Sequence, residues 1–384
     1  MLLKRKFFGR IDYLTLLITA VILVFGLVSI SSAVSSVTTD ELSIFDIAAL
    51  ANTESASLQL IFYAVGLLAV AVILLIDYNN LRDFSDLFYW AAVALLVLVL
   101  FFGREINGTA GWFVISGRGF QPSEYGKVVI IIVLAAETAK VTQNKESGID
   151  SFRDLWPILW RFMIPFVLIM AQPDMGSAFV YLFVMAGILF AARLSWKKIL
   201  FFLGLAAAAA PLLWLVMDDY QKVRFEVFLN PELDPLGKGL QTIRAKNVAA
   251  SGGLFGKGFF SSELLTQQTN YLPEESTDFI FSAMVEACGF IGGLILIVLY
   301  ACLIFRILRI AFRAKDHFGC YLAVGVAFMI LFHVIENIGM NIGLLPITGV
   351  PLPLFSYGGS NVLTTMAGIG LALNVHMRRQ RMDI

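Results

Sequence analysis

Carboxylates at the mouth of an apolar run are the residues of this sequence best placed to do chemistry. The stretch YLPEESTDFIFSAMVEACGFIGG, residues 271–293, holds Glu274, Glu275 and Asp278 where the run begins, and Glu286 eight residues beyond Asp278. Burial raises a carboxylate's pKa, whereas nearby cations and a helix N-terminus lower it. A carboxylate balanced near neutrality can act as a general base, a role worth roughly 10²–10⁴-fold in rate. A plainer role is local: Thr277 or Ser276 caps a helix, and Asp278 in its first turn gains from the dipole. Glu286 lies on nearly the same face and suits a bond to a neighbouring helix.

A second set lies in QPSEYGK, residues 121–127. Pro122 and Ser123 start a helix well, and Glu124 stands at the positive end of its dipole. Lys127, three residues on, shares that face. The two form an ion pair that stabilises the helix start, or a cation held ready for an anionic ligand, since ionisable groups are expensive to keep inside a membrane. AQPDMGSA, 171–178, sets Asp174 at the tip of a tight turn, where it can cap the next helix.

Between 220 and 260, aromatic and aliphatic residues alternate with basic ones, a pattern for amphipathic helices at an interface. Lys222, Arg224, Arg244 and Lys246 there can hold a pyrophosphate or anionic headgroups. The glycine-rich end, SGGLFGKG, fails as a phosphate loop: Ser251 takes the first glycine's place, and Gly258 stands where Ser or Thr should follow the Lys. MNIGLLPITGVPLPLFSYGGSN, 340–361, carries three prolines and four glycines. Such interrupted helix ends line cavities or pack backbones closely. These residues describe an outward-facing cavity with a carboxylate and several cations, suited to an anionic lipid, and leave transport and transfer chemistry both open.

The elements that must position these groups are membrane helices. Of 384 residues 59% are hydrophobic and 15% charged, and the mean hydropathy is +0.82, more apolar surface than a soluble domain can hide. The sequence predicts an all-α polytopic membrane protein, a single transmembrane domain over 1–384, with about ten spans: 11–33, 58–77, 84–103, 122–139, 156–171, 173–193, 198–217, 278–306, 318–346 and 358–377. If the N-terminus is cytoplasmic, 19 of the 28 basic residues fall on the inside. Both termini are then cytoplasmic, and the long loop 218–277, between spans seven and eight, is extracytoplasmic. The first apolar run is too long for a signal peptide's core.

The stretch GREINGTAGWFVISGRGFQPSEYGK, 103–127, has six glycines and a proline. Too apolar for a free loop and too broken for a straight helix, it reads as a re-entrant or interfacial segment before span four. Cys288, Cys302 and Cys320 lack ligand spacing and suit buried, unreactive thiols. Nothing points to a nucleic-acid partner.

The strings NG..GW, QPSEYGK, QPDMGSA, NPELDPLGKGLQ, GLFGKG, LPEESTDFIF and NIGMNIGLLPITGVPLPLFSYGGS, in that order along essentially the whole chain, closely resemble the SEDS family of bacterial cell-wall proteins, and LLPITGVPLPLFSYGG resembles its RodA branch rather than FtsW. The resemblance implies a peptidoglycan glycosyltransferase of the bacterial cytoplasmic membrane that polymerises lipid II on the outer face during cell elongation. It further implies a class B penicillin-binding protein as transpeptidase partner and undecaprenyl-pyrophosphate-linked glycan as the second substrate.

The family's catalytic Asp falls on Asp278, and its Glu and Lys fall on Glu124 and Lys127. Trp112, Asp174, Gln241, Arg244, Lys246 and Glu274 complete the expected substrate-contacting set, with Lys127, Lys246 and Arg244 in that order facing the pyrophosphate and a divalent cation (Mg or Mn) a possible aid. A lipid II flippase, or a non-catalytic scaffold for the penicillin-binding protein, are the competing expectations. Two residues depart from the family pattern: Gly111 where an Arg precedes Trp112, its role either dispensable or supplied by Arg104 or Arg118, and Glu336 where an apolar residue is expected.

Overall fold

A computed structural model describes residues 11–34, 53–106, 109–115, 118–143, 145, 148–216, 219–235, 237–261, 263–267 and 271–379. The basic N-terminal residues 1–10 lie outside them, as do the side chains of Arg118 and Arg224. In chain order run α1 (Tyr13–Val34), α2 (Glu54–Leu75), the short α3 (Tyr78–Asp83) and α4 (Ser85–Phe102). The strands β1 (Arg104–Ile106), β2 (Thr109–Ile115) and β3 (Arg118–Phe120) follow, then α5 (Pro122–Thr142), α6 (Phe152–Met170), α7 (Met175–Ala191) and α8 (Trp196–Val216). The long loop contains α9 (Asp219–Leu229) and α10 (Lys238–Ser251), and the chain closes with α11 (Ile280–Phe312), α12 (His317–Asn341) and α13 (Gly359–Met377).

Ten of these helices coincide with the ten expected spans, and α9 and α10 are the helices expected in the long loop. By length and composition alone, α1, α2, α4, α11 and α12 can each cross a membrane. Helix starts follow the polar residues that precede them. Thr53 accepts from Ala56 N, Asp316 accepts from Gly319 N, and Ser151 with Asp154 makes a capping box on α6. The core gathers around α12, which is buried along 78% of its apolar stretch against 22% for α2; α5, α7, α11 and α13 surround it. Contrary to expectation, none of the three cysteines is fully buried: Cys302 is exposed on α11, and Cys288 and Cys320 are half-buried.

The stretch expected to be re-entrant or interfacial is an antiparallel meander, with β1 paired to β2 and β2 to β3. Gly111 and Gly119 lie within β2 and β3, and pairing between strands supplies backbone partners in place of a helix. Ala110 N ties it to Gln172 O at 3.3 Å.

The glycine-rich GLFGKG also has a structural task. Inside α11, Gly289 leaves helical geometry at φ 70°, ψ −173°, which interrupts the helical ladder and frees carbonyls and amides. The loop supplies their partners: Lys257 N donates to Glu286 O at 3.0 Å and Gly258 N to Ala287 O at 2.9 Å, while Phe290 N donates to Gly253 O at 2.9 Å. A Cβ on Gly289 would run into the Leu254 backbone.

Glu286, fully buried, fastens the same junction. Its Oε1 accepts from Lys257 Nζ at 2.8 Å, Ser251 Oγ at 3.0 Å and Leu265 N at 2.6 Å, and its Oε2 from Thr266 N and Oγ1. It thus binds the end of α10 and the loop beyond, more than the single helix expected. Glu286→Ala strands the Lys257 cation and several buried donors, a loss of roughly 3–5 kcal/mol. The expected result is a lowered melting temperature together with faster proteolytic cleavage between 252 and 267; unchanged cleavage would show that the loop is held by other contacts.

Candidate active site

The turn Pro273–Phe279 leads into α11 and presents Asp278. Helix α11 begins at Ile280 with Phe279 in the cap position and no side-chain cap, so neither Thr277 nor Ser276 caps it, and Asp278 precedes the first helical turn. Thr277 Oγ1 turns back to Glu274 Oε2 at 2.8 Å. Pairing across to the 340–361 stretch takes the place of capping: Tyr357 N donates to Ser276 O at 2.8 Å, and Ser356 Oγ to Thr277 O at 2.6 Å.

The main chain at Asp278 is clamped from α12. Asn337 Nδ2 and Asn341 Nδ2 each donate to Asp278 O at 2.9 Å; Asn337 also reaches Val350 O, and Asn341 Oδ1 accepts from Ser282 N and Oγ. Both asparagines are fully buried, four residues apart and so on one helix face. Two amides in an apolar helix are the signal that sequence reasoning passed over. The Asp278 side chain itself is half-buried and runs beside Gly349, where a Cβ would stand 3.5 Å from Oδ2.

Helix α10 forms a second wall. Ala245 and Val248 pack against Leu272 and Phe279, with Tyr271 and Ile347 alongside, which holds α10 next to the Asp278 turn. Arg244 donates from Nη1 to Tyr271 O at 2.8 Å with its guanidinium over the Tyr271 ring. Gln241 is half-buried and Lys246 exposed. The Lys246 side chain lies across Gly343, where a Cβ would occupy the place of its Cε and Nζ. Gly343 has φ +74°, so Gly343→Ala adds backbone strain of about 1–2 kcal/mol and pushes the ammonium aside. If, as the resemblance implies, the protein polymerises lipid II and that charge stabilises the leaving group, polymerisation should fall by about tenfold or more, and fall no further when the same change is made in Lys246→Met. Equal losses in both backgrounds would separate the two residues.

Lys127 is only 1% exposed, Glu124 6% and His333 2%. Lys127 Nζ donates to Glu124 Oε1 at 2.6 Å and lies 3.0 Å from His333 Nε2. His333 Nδ1 is 2.7 Å from Met329 O; a carbonyl only accepts, so Nδ1 carries the proton and Nε2 accepts from the lysine. Glu124 Oε2 is buried with no hydrogen-bond partner among the described residues. Lys127 is thus a buried link from α5 to His333 of α12, which lies one helical turn from Asn337 on the face that clamps Asp278. On the same helix, Glu336 Oε1 accepts from Thr348 Oγ1 at 2.7 Å, next to Gly349, so this unexpected carboxylate lies within the site's wall.

Asp174 caps α7 by accepting from Ser177 N at 3.0 Å, and its other oxygen takes Gln121 Nε2 at 2.9 Å and Ser123 Oγ at 3.0 Å. It joins α7 to the start of α5. Glu274, at φ 60°, is exposed. Trp112 belongs to β2 and covers Gly119. Gly111 before it is buried, with a Cβ position 3.0 Å from Gln172 Oε1, too close for an arginine without a shift; Arg104 is Trp112's register partner across the strands. Among the described residues no three His, Cys, Asp or Glu side chains converge as a metal site. A divalent cation near Asp278 would draw most ligands from pyrophosphate and water, as Mg²⁺ ordinarily does.

The family model for FtsW, RodA and SpoVE, described as cell cycle protein, matches residues 13–381. The peptidoglycan glycosyltransferase MrdB of Escherichia coli (strain K12) is 37% identical across 83% of this chain and 85% of its own length. Stage V sporulation protein E of Bacillus subtilis (strain 168) is 37% identical across 95% and 96%, and the peptidoglycan glycosyltransferase RodA of Treponema pallidum is 30% identical across 84% and 89%. Among solved structures, one from a peptidoglycan synthase complex that coordinates polymerization and crosslinking superposes with a TM-score of 0.78 at 29% identity, covering 97% of this chain and 99% of that one. The rod shape determining protein RodA of Thermus thermophilus superposes with a TM-score of 0.69 at 28% identity, covering 97% and 98%.

Proposed function

This chain belongs to the FtsW/RodA/SpoVE family and is a multi-pass membrane peptidoglycan glycosyltransferase, and on that premise we propose that Asp278 is the general base with which it polymerises lipid II. One lipid II offers its GlcNAc 4-hydroxyl; the Asp278 carboxylate takes the proton as that oxygen bonds to the anomeric carbon of the growing chain's terminal MurNAc. The bond from that carbon to phosphate breaks, and undecaprenyl pyrophosphate departs. An α-linked pyrophosphate becomes a β-1,4 glycosidic bond, so one inverting displacement with one base suffices. Both reactants are confined to the same plane of the membrane, which supplies much of the proximity.

The observation that carries this reading is the clamp of Asn337 and Asn341 on the Asp278 carbonyl, which fixes the backbone of a half-buried carboxylate. Lys246, exposed on α10, is the first candidate to meet the pyrophosphate, with Arg244 and Gln241 beside it; the burial of Lys127 argues for a positioning role. The preponderance of basic residues on the side of both termini supports cytoplasmic ends and an outer-face site. The neighbour taken from a polymerising and crosslinking complex supports a class B penicillin-binding protein as partner within the elongation machinery. The test is lipid II polymerisation by purified protein with its cognate penicillin-binding protein, under moenomycin to silence other glycosyltransferases.

A further inference from the structure

At the far end of α11 from Asp278 lies a second polar hollow, and we propose that it binds a phosphate group. Its cavity of about 170 Å³ is lined by Asp12, Arg306, Arg309, Arg313, His376 and Arg379, with Ile11 and Ile310. Three elements supply these residues: the approach to α1, the last turns of α11 and the end of α13. The floor is built. Asp12 is 5% exposed and engages Arg306 Nη2 with both oxygens, at 2.6 and 2.7 Å, and Thr15 Oγ1 at 2.7 Å. That leaves its carboxylate saturated, while Arg306 Nε is buried without a hydrogen-bond partner among the described residues.

Four guanidinium groups therefore face one carboxylate that is already spent. Among the described residues Arg309, Arg313 and Arg379 form no ion pair with an acid, and the one contact of Arg379 here is His376 Nδ1 at 3.4 Å. Burial, together with Arg313, Arg306 and Arg309, holds Arg379 below its usual pKa, with Asp12 opposing. The ten residues before Ile11 carry Lys4, Arg5, Lys6 and Arg10 and no acid, and the five after Arg379 carry Arg381 and Asp383, so the flanking sequence adds more positive charge than negative.

Basic residues that only snorkel to an interface spread around the helices; here Arg306, Arg309 and Arg313 at the end of α11 and Arg379 just beyond α13 converge on one hollow. Guanidinium forks match phosphate oxygens, and basic pockets between spans on the cytoplasmic side suit phospholipid headgroups. The volume is below that of a pocket for a whole small molecule, which favours a single phosphate over a nucleotide.

The experiment compares the full chain in phosphatidylcholine nanodiscs with and without cardiolipin, and in phosphatidylcholine nanodiscs with added inorganic phosphate. Melting temperature and cardiolipin retained in native mass spectrometry are the readouts. A rise with cardiolipin alone identifies a lipid phosphate, and an equal rise with inorganic phosphate identifies a free one; either supports the site. Arg313→Gln and Arg309→Gln, both at exposed positions and so without folding consequence, should each weaken the response about fivefold. No rise with either probe, or variants that respond as the parent does, would overturn the proposal.

Discussion

Asp278→Ala and Asp278→Asn are each expected to lower lipid II polymerisation by roughly 10²–10⁴-fold while the protein stays folded. An inverting displacement from a good leaving group has one proton to remove, so its loss removes a single base and leaves proximity and charge stabilisation intact. The Asn variant is the sharper one, because it keeps the size and one acceptor oxygen and removes the charge and basicity. The fold should survive both, since the contacts that pin the turn use the main-chain carbonyl of residue 278 through Asn337 and Asn341. Melting temperature and association with the penicillin-binding protein check this.

The same pair of variants separates the competing activities. Equal polymer from parent and variant would reduce Asp278 to a turn residue and move the search to Glu274 or Glu124. Polymer absent from both, with the partner present, would favour the scaffold. If the chain were a flippase, fluorescent lipid II would cross liposome membranes and Asp278→Ala would leave that translocation largely intact.

What could be foreseen divides along the range of the interactions concerned. Ten spans were legible because an apolar helix in a bilayer satisfies its own backbone within about 20 residues, a local property. The loop helices were legible for a similar reason. The meander at 104–120 was not, because glycine-rich apolar chain is ambiguous until its strands find each other. The break at Gly289 and the loop that fills it were likewise hidden, since neither GLFGKG nor the α11 sequence signals that one will hydrogen-bond to the other. Within the site, Asp278, Lys127 and Lys246 stood out as charges near a membrane. Asn337 and Asn341 did not, although they define the backbone at Asp278, because an uncharged amide announces nothing until its partner is known. For Lys127 the sequence left an ion pair with Glu124 and a cation held for a ligand both open, and its burial against Glu124 and His333 favours the first.

That ion pair yields the second large effect. Lys127→Met leaves the Glu124 carboxylate buried and uncompensated, and losing one partner of such a pair costs roughly 3–5 kcal/mol. The melting temperature should fall sharply, and polymerisation with it. Adding Glu124→Gln removes the stranded charge, so the double variant should recover most of the stability. Its activity should not recover in step, because the contact from Lys127 to His333 is still missing and α12 carries the asparagines that hold Asp278. A positioning defect of this kind lowers kcat while KM stays near the parent value, since Lys246 and Arg244, the candidate pyrophosphate contacts on α10, are untouched. A double variant that regains rate and stability together would make the pair purely structural. A raised KM at unchanged kcat would instead place Lys127 in direct contact with substrate, in a conformation more open than the one described.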